Sequence, residues 1–286
     1  MAGVGLRLAI VTPALTMMPG AHARWEETAT IDDVARIAEA AERLGYDHLT
    51  CSEHVGVPAS EAPRRGATYW DPLATFGYLA ARTERIRLAT NVLVLGYHHP
   101  LEIAKRYGTL DVVSGGRLVL GVGVGTLREE FEVLGAPFDD RGARADDALR
   151  ALRASLSQAE PSYDGAHFSF SGLIVDPHAI QSRVPLWIGG RTLRSLRRAV
   201  ELAEGWTPFA VTAEQVREWL SRFDLPDGFE VVLPPQRLLD PVAEPDAAAE
   251  ELARLGAAGA TIVKASLVHH SLAHYVEQLE ALAALV

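Results

Sequence analysis

Apolar positions along this chain alternate between two spacings, and the alternation predicts its architecture. The unbroken apolar run at 118–124 has the β-branched content of a strand buried on both faces, as in a parallel sheet, and the runs at 6–11, 48–52 and 86–95, the last interrupted only by Thr90-Asn91, also read as strands. Shorter or weaker runs of the same kind follow at 186–188, 205–209, 229–233 and 260–264. Between them the spacing turns helical. Ile31, Val34, Ile37, Ala38, Ala41 and Leu44 share one face behind the caps Thr30 or Asp32, and Gly45 ends the run. Further helices are predicted at 71–83, 100–113, 191–203, 213–223, 245–255 and 272–285, with two pieces at 127–134 and 141–156 split by Gly135-Ala136-Pro137. Eight strand-then-helix units predict a (β/α)8 TIM barrel with right-handed crossovers, treated as one domain over 1–286. An open doubly wound sheet is the other arrangement the alternation allows. The rhythm breaks at 157–185, where Tyr163 to Phe170 alternates like a small hairpin; this segment is expected to be an insertion on the scaffold.

The most informative stretch is 117–149. Leu118, Val119, Leu120, Val122 and Val124 form a buried strand whose end is thinned by Gly121, Gly123 and Gly125. Without Cβ atoms, one face of that strand is open to a flat ring or to another backbone. Thr126 and Glu129 have the spacing of a capping box, so a helix start is expected beside the bare strand end, favouring anionic groups. The dinucleotide pattern G-x-G-x-x-G fails in both frames, because Thr126 and Arg128 stand where the third glycine is needed. The plainer alternative is that these glycines only let strand and helix pack closely.

With 48% hydrophobic residues the chain can bury a large core, and a net charge of −10 with no basic cluster argues against a nucleic-acid partner. The single cysteine, Cys51, excludes a disulfide framework and suits a reducing, cytoplasmic setting; its apolar surroundings predict a buried strand residue. The apolar run near the N-terminus reads as a first strand, and no stretch approaches the ~20 apolar residues that would span a membrane.

In a barrel the active site lies at the C-terminal ends of the strands, where Thr12-Pro13, Glu53-His54, Asn91, Gly125-Thr126 and Gly189-Gly190 fall. Glu53-His54 is the leading catalytic candidate, since a carboxylate beside an imidazole can orient the ring and move a proton at neutral pH. Gly189-Gly190-Arg191, with Thr192 and Ser195, has the makings of an anion site: free backbone N–H groups at a helix start, and an arginine to grip phosphate. A tight turn with a solvated arginine is the alternative. His98-His99, His269-His270 and His274 lack the acidic partners and spacing of a metal site, and no G-x-S-x-G nucleophile elbow occurs. Asp139-Asp140 fits helix capping and ion pairing, and Asp146-Asp147 is expected on a solvated face.

These residues bring a family into view. The segments AAERLGYDHLTCSEHV (40–55), DPLATFGYLAARTERIRLATNVLVL (71–95), GGRLVLGVGVGTLREEFEVLGAPFDDRGARADDAL (115–149) and PLWIGGRTLRSLRRAVELAEGW (185–206) resemble, in order, the luciferase-like monooxygenase superfamily and its F420-dependent oxidoreductase branch. The resemblance spans 1 to about 210, and beyond that only the strand-helix rhythm matches. It implies a barrel with a flavin or deazaflavin lying across the strand ends, and His54 with Glu53 handling proton transfer. It also implies a bulge with a non-proline cis peptide at Asn91-Val92 behind the ring. Pro13, Gly123, Gly125 and Thr126 would line the cofactor, and the turn at Gly189, Gly190, Arg191, Thr192 and Ser195 would hold its phosphate. Two departures stand out: Thr126 occupies the place of a glutamate acid in the sugar-phosphate dehydrogenases of the branch, and Pro58 that of a tryptophan.

The reading that follows is hydride transfer between coenzyme F420 and a small organic substrate, with Arg64, Arg65 and Arg191 as candidate contacts for the acidic tail and Trp70 as a wall of the substrate side. The alternatives are an FMN-dependent monooxygenase supplied by a separate reductase, and a non-catalytic flavin-binding relative. A homodimer is expected from the resemblance alone.

Overall fold

The structure, a computed structural model, describes residues 5–286; the first four residues of the expected single domain lie outside it. The chain opens with β1 (Arg7–Ile10), α1 (Ile31–Arg43), β2 (His48–Cys51), the short α2 (Ala62–Arg65) and α3 (Pro72–Ala80). Next come β3 (Arg87–Thr90), β4 (Leu93–Val94), α4 (Pro100–Ser114), β5 (Leu118–Gly123), α5 (Arg128–Val133) and α6 (Arg141–Ser155). A hairpin of β6 (Tyr163–Asp164) and β7 (Ser169–Phe170) precedes β8 (Leu186–Gly190), α7 (Leu193–Leu202), β9 (Gly205–Pro208) and α8 (Ala213–Leu220). The chain closes with β10 (Glu230–Leu233), α9 (Pro245–Ala257), β11 (Ile262–Ala265) and α10 (Leu272–Ala283).

The strands run parallel in the order β1-β11-β10-β9-β8-β5-β3-β2, with β4 also paired to β5. The seam between β1 and β2 is bridged by Thr50, whose N–H donates to Thr12 Oγ1 (3.0 Å) and whose hydroxyl donates to the Ile10 carbonyl (3.1 Å). The result is a nearly closed eight-stranded barrel with helices outside, as the alternating periods predict. Among the described residues no helix is long and apolar enough to cross a membrane.

The predicted strand 86–95 is in fact two strands. β3 pairs with β5 through Ala89 opposite Val119, and β4 through Leu93 opposite Val122. Four steps on one strand against three on the other leave one extra residue, a bulge, and the Asn91–Val92 peptide within it is cis. This bulge explains the glycines. A Cβ on Gly121 would lie 2.0 Å from the Thr90 carbonyl oxygen, one on Gly123 2.7 Å from Val92 Cγ2, and one on Gly189 2.6 Å from Val92 Cγ1. The bare face read from the sequence is therefore filled by the chain's own bulge.

The interior of the barrel is small and apolar at its middle, where Ala9, Ala89, Val119, Trp187, Val232 and Ile262 pack together; a larger apolar layer lies between sheet and helices. The floor is ionic. Arg7 pairs with Asp47 (2.8 Å) and Glu230 (2.6 Å), Arg87 pairs with both as well, and Trp187 Nε1 donates to Glu230 (2.9 Å). Burial opposes the Asp47 carboxylate, but the hydrogen bond from His48 and the Arg87 guanidinium outweigh it and hold this carboxyl below the usual range. Burial depresses the basicity of His48, whose Nδ1 lies 2.7 Å from Asp47.

Two local expectations are corrected. The capping box at Thr126 and Glu129 does not form: α5 starts one residue later behind Leu127, which is drawn into the core and leaves both side chains exposed. Asp147 is not on a solvated face. It is buried, and accepts hydrogen bonds from the Tyr163 hydroxyl (2.6 Å) and the N–H groups of His167 (2.7 Å) and Phe168 (3.0 Å), anchoring the hairpin to α6. Its neighbour Asp146, about 100° around the helix, pairs with Arg198 instead.

Two outcomes are expected from these constraints. In urea unfolding, Gly121→Ala should cost about 1–3 kcal/mol, because a backbone carbonyl blocks the added methyl; Gly77→Ala, in open space within α3, should be neutral or stabilising by up to about 1 kcal/mol. Asp47 has a depressed folded-state pKa, so its contribution is present above its ordinary value of 3.8 and lost as pH falls through the folded value. The stability gap between wild type and Asp47→Asn should hold constant near neutrality and shrink in acid below about pH 4.

Candidate active site

The C-terminal end of β2 runs directly into Ser52-Glu53-His54, and the bulge holds this segment down: Ser52 Oγ donates to the Asn91 carbonyl (2.8 Å) and the Glu53 N–H to the Val92 carbonyl (3.4 Å). Glu53 and His54 then diverge. The Glu53 carboxylate, 8% exposed, accepts from the Val94 N–H (2.7 Å) and pairs with His98 Nε2 (2.6 Å). It fastens the strand after the bulge and does not orient His54, contrary to the expectation from sequence adjacency. Burial alone would make His98 less basic, but its bond to Glu53 raises it.

The partner of His54 is Glu130, from α5. His54 Nδ1 lies 2.7 Å from Glu130 Oε2, which also accepts from the Tyr97 hydroxyl (2.7 Å), while Glu130 Oε1 accepts the N–H groups of Val55 (2.9 Å) and Gly56 (3.2 Å). Burial opposes this carboxylate, but the His54 and Tyr97 bonds and the backbone donors prevail and lower its pKa, so it is an anion at neutral pH. Burial and Glu130 together raise the Tyr97 phenol, which stays protonated. An imidazole bonded through Nδ1–H to a carboxylate keeps Nε2 as its free acceptor, and His54 Nε2 makes no hydrogen bond to the described residues. Tyr69 meets the ring edge-on at 4.4 Å. Such a pair can take a proton at Nε2 and stabilise the resulting imidazolium.

Around this pair, Asn91 and Val92 are partly exposed at the barrel mouth, Val92 wedged between Gly123 and Gly189. Gly125 is closed on its inner side by Phe131 and Val94, and Arg141 Nε donates to its carbonyl (3.1 Å). Pro13 is buried just past β1. The turn after β8 is more self-contained than the sequence suggests. Thr192 caps α7 by accepting from the Ser195 N–H (3.3 Å), and the Ser195 hydroxyl donates to the Thr192 carbonyl (2.6 Å) and accepts from Trp206 Nε1 (3.1 Å). Arg191 remains exposed beside the Phe209 ring, while Arg64 and Arg65 are both paired to Glu61. Cys51 is buried as expected, with its thiol pushed up to about 12 by burial, and donates to the Trp70 carbonyl.

Glu130 was missed, although a signal existed: Leu127, Glu130, Phe131 and Leu134 share helical spacing, which places an acid on an apolar face. Lys264 was missed too, a lone cation inside the apolar run Ile262-Val263-Lys264-Ala265.

Comparison with known proteins agrees with the fold. The sequence is 31% identical over 265 residues to an uncharacterised protein of Mycobacterium tuberculosis, covering 86% of this chain and 92% of that one. The F420-dependent tetrahydromethanopterin reductase of Methanopyrus kandleri superposes with a TM-score of 0.73 at 16% identity, covering 97% of this chain and 99% of that one. The oxygenating constituent of 3,6-diketocamphane monooxygenase from Pseudomonas putida, in complex with FMN, superposes with a TM-score of 0.72 at 14% identity and 97% coverage of both chains. The profile of the luciferase-like monooxygenase family matches residues 12–281, and the chain belongs to that family.

Proposed function

We propose that the protein is an oxidoreductase that moves a hydride between C5 of coenzyme F420 and a small organic substrate. The observation that carries this reading is the His54–Glu130 pair: an imidazole with its Nδ1 held by a buried carboxylate and its Nε2 unbonded, beside the barrel mouth. The donors around it suit a flat ring with an acidic tail. Asn91 and Val92 would meet the ring, and Gly190, Arg191 and the N–H groups opening α7 would meet the phosphate.

When bound, F420 supplies a two-electron hydride acceptor or donor. The chain supplies the proton chemistry. As a substrate alcohol is oxidised, His54 Nε2 accepts the hydroxyl proton, and Glu130 stabilises the imidazolium through Nδ1–H; in the reductive direction the same nitrogen returns the proton. Tyr97, held neutral, keeps Glu130 aimed at His54. Glu53 and His98 act one layer behind, fixing the strand after the bulge. Thr126, exposed and uncharged, leaves His54 as the proton-handling group at this rim. The second reading, oxygenation with reduced FMN from a separate reductase, is favoured by the FMN-bound structural neighbour. A homodimer is part of the proposal through family likeness only.

Titration of cofactor-free protein with F420 and, separately, FMN should show tight binding of F420, weakened in Arg191→Ala and little changed in His54→Ala. A preference for FMN moves the protein to the oxygenase reading, and binding of neither overturns both. With an F420-linked substrate in hand, His54→Ala and Glu130→Gln should each lower turnover by about 10²-fold or more. The double variant should cost little beyond the worse single change, because the two groups act as a unit. Glu53→Gln should lower stability more than turnover.

A further inference from the structure

Three buried cations other than the floor arginines and histidines occur among the described residues: Arg117, Arg198 and Lys264. Arg117 saturates its guanidinium with the carbonyls of Ala80, Thr83, Ile86 and Ser114 and the Thr83 hydroxyl, and Arg198 pairs with Asp146. Lys264 has neither solution. It sits opposite Ala9 in the register of β1 and β11, two residues beyond Ile262 of the interior cluster, so it points into the barrel. Only 5% of it is exposed. Its ammonium donates to Asn91 Oδ1 (2.8 Å) and, at 3.4 Å, to Thr207 Oγ1, and no carboxylate pairs with it among the described residues. Burial lowers its pKa to about 8, which marks the cost of holding this charge.

A lysine can only donate, so the amide oxygen of Asn91 must face it. That turns the Asn91 Nδ2 hydrogens the other way. They make no hydrogen bond to the described residues, and Asn91 is partly exposed at the mouth. A bridge that merely tied β3, β9 and β11 together would be served by a neutral side chain at lower cost. A charge kept without a counter-ion beneath a binding surface is instead available to a negative charge that arrives there.

We propose that Lys264 is a positioning residue of the redox site: it turns the Asn91 amide hydrogens toward the bound ring and favours an anionic ring form at the mouth of the barrel. This rests on the reading that a flavin or deazaflavin binds there, but it can fail separately.

FMN is a suitable probe, because its phosphate is common to both redox forms and its ring is neutral when oxidised and anionic when reduced. The dissociation constants of oxidised and reduced FMN, and the visible spectrum of bound F420, would be compared in wild type, Lys264→Met and Lys264→Gln, alongside the thermal midpoint of each cofactor-free protein. The expected result is a thermal midpoint for Lys264→Met equal to or above wild type, with reduced FMN losing about tenfold in affinity relative to oxidised FMN, or about 30 mV for a two-electron couple. Lys264→Gln, which keeps a donor for Asn91 and removes the charge, should lose the same redox-dependent preference while preserving more of the affinity for oxidised FMN. Wild-type binding with an unchanged affinity ratio and unchanged F420 spectrum in both variants would overturn the role of Lys264 and leave the proposed function standing. Failure of wild type to bind either cofactor would overturn that function and this inference with it, and loss of the fold in both variants would reduce Lys264 to a structural bridge.

Discussion

The bulge at residues 90–92 is the constraint on which the rest of this barrel's working end depends. One extra residue in the third strand pushes the Thr90 carbonyl and the Val92 side chain sideways into the next two strands, β5 and β8, and those strands accept them only because Gly121, Gly123 and Gly189 carry no Cβ. The same bulge receives hydrogen bonds from Ser52 and Glu53, so it sets the height at which His54 leaves β2. It also carries Asn91 over the ammonium of Lys264. Four strands are thereby referred to one irregularity, and the site inherits its geometry from packing and not from a flexible loop.

Charge is distributed unevenly along the barrel axis. At the floor, Arg7, Arg87, Asp47 and Glu230 neutralise one another in a closed network that also engages Trp187 and His48, which plugs the barrel where a pore would otherwise open. Toward the mouth the pairing is partial. Glu53–His98 and Glu130–His54 are two carboxylate–imidazole pairs on adjacent elements; the second nitrogen of His98 faces another carboxylate, Glu102, at 3.8 Å, whereas that of His54 faces none among the described residues. The two pairs look alike in composition and differ in what they hold: a backbone N–H of β4 in one case, and a tyrosine and a loop in the other.

Much of the barrel was legible because its signals are local. Strand and helix periods are set by neighbours a few residues apart, and all eight units are found where the periods place them, with ends shifted by a few residues. The break in the third strand left only a slight mark on the pattern, a polar interruption at Thr90-Asn91 that a single strand can tolerate; the bulge itself and the cis Asn91-Val92 peptide were indicated by family resemblance alone. His54 stands out in the sequence by its position at a strand end. Its partner was misassigned to Glu53, because adjacency in sequence was taken for adjacency in space, whereas residues next to each other in extended chain project to opposite sides. Glu130 lies 76 positions away and reaches His54 only through the packing of α5.

The same logic separates structural from available groups in the turn after β8. The Ser195 hydroxyl is taken up by the Thr192 carbonyl and Trp206, and Thr192 Oγ1 accepts the Ser195 N–H, so both side chains already serve the helix start and the core. What that turn still offers is Arg191 and the Leu193 and Arg194 N–H groups at the start of α7, which make no hydrogen bond to the described residues. Hydrogen-bond capacity left over after the fold has satisfied itself is thus a sharper guide to function here than residue identity. By that measure His54 Nε2, the amide hydrogens of Asn91 and the guanidinium of Arg191 make no hydrogen bond to the described residues, and all three lie at the strand ends where a (β/α)8 barrel works.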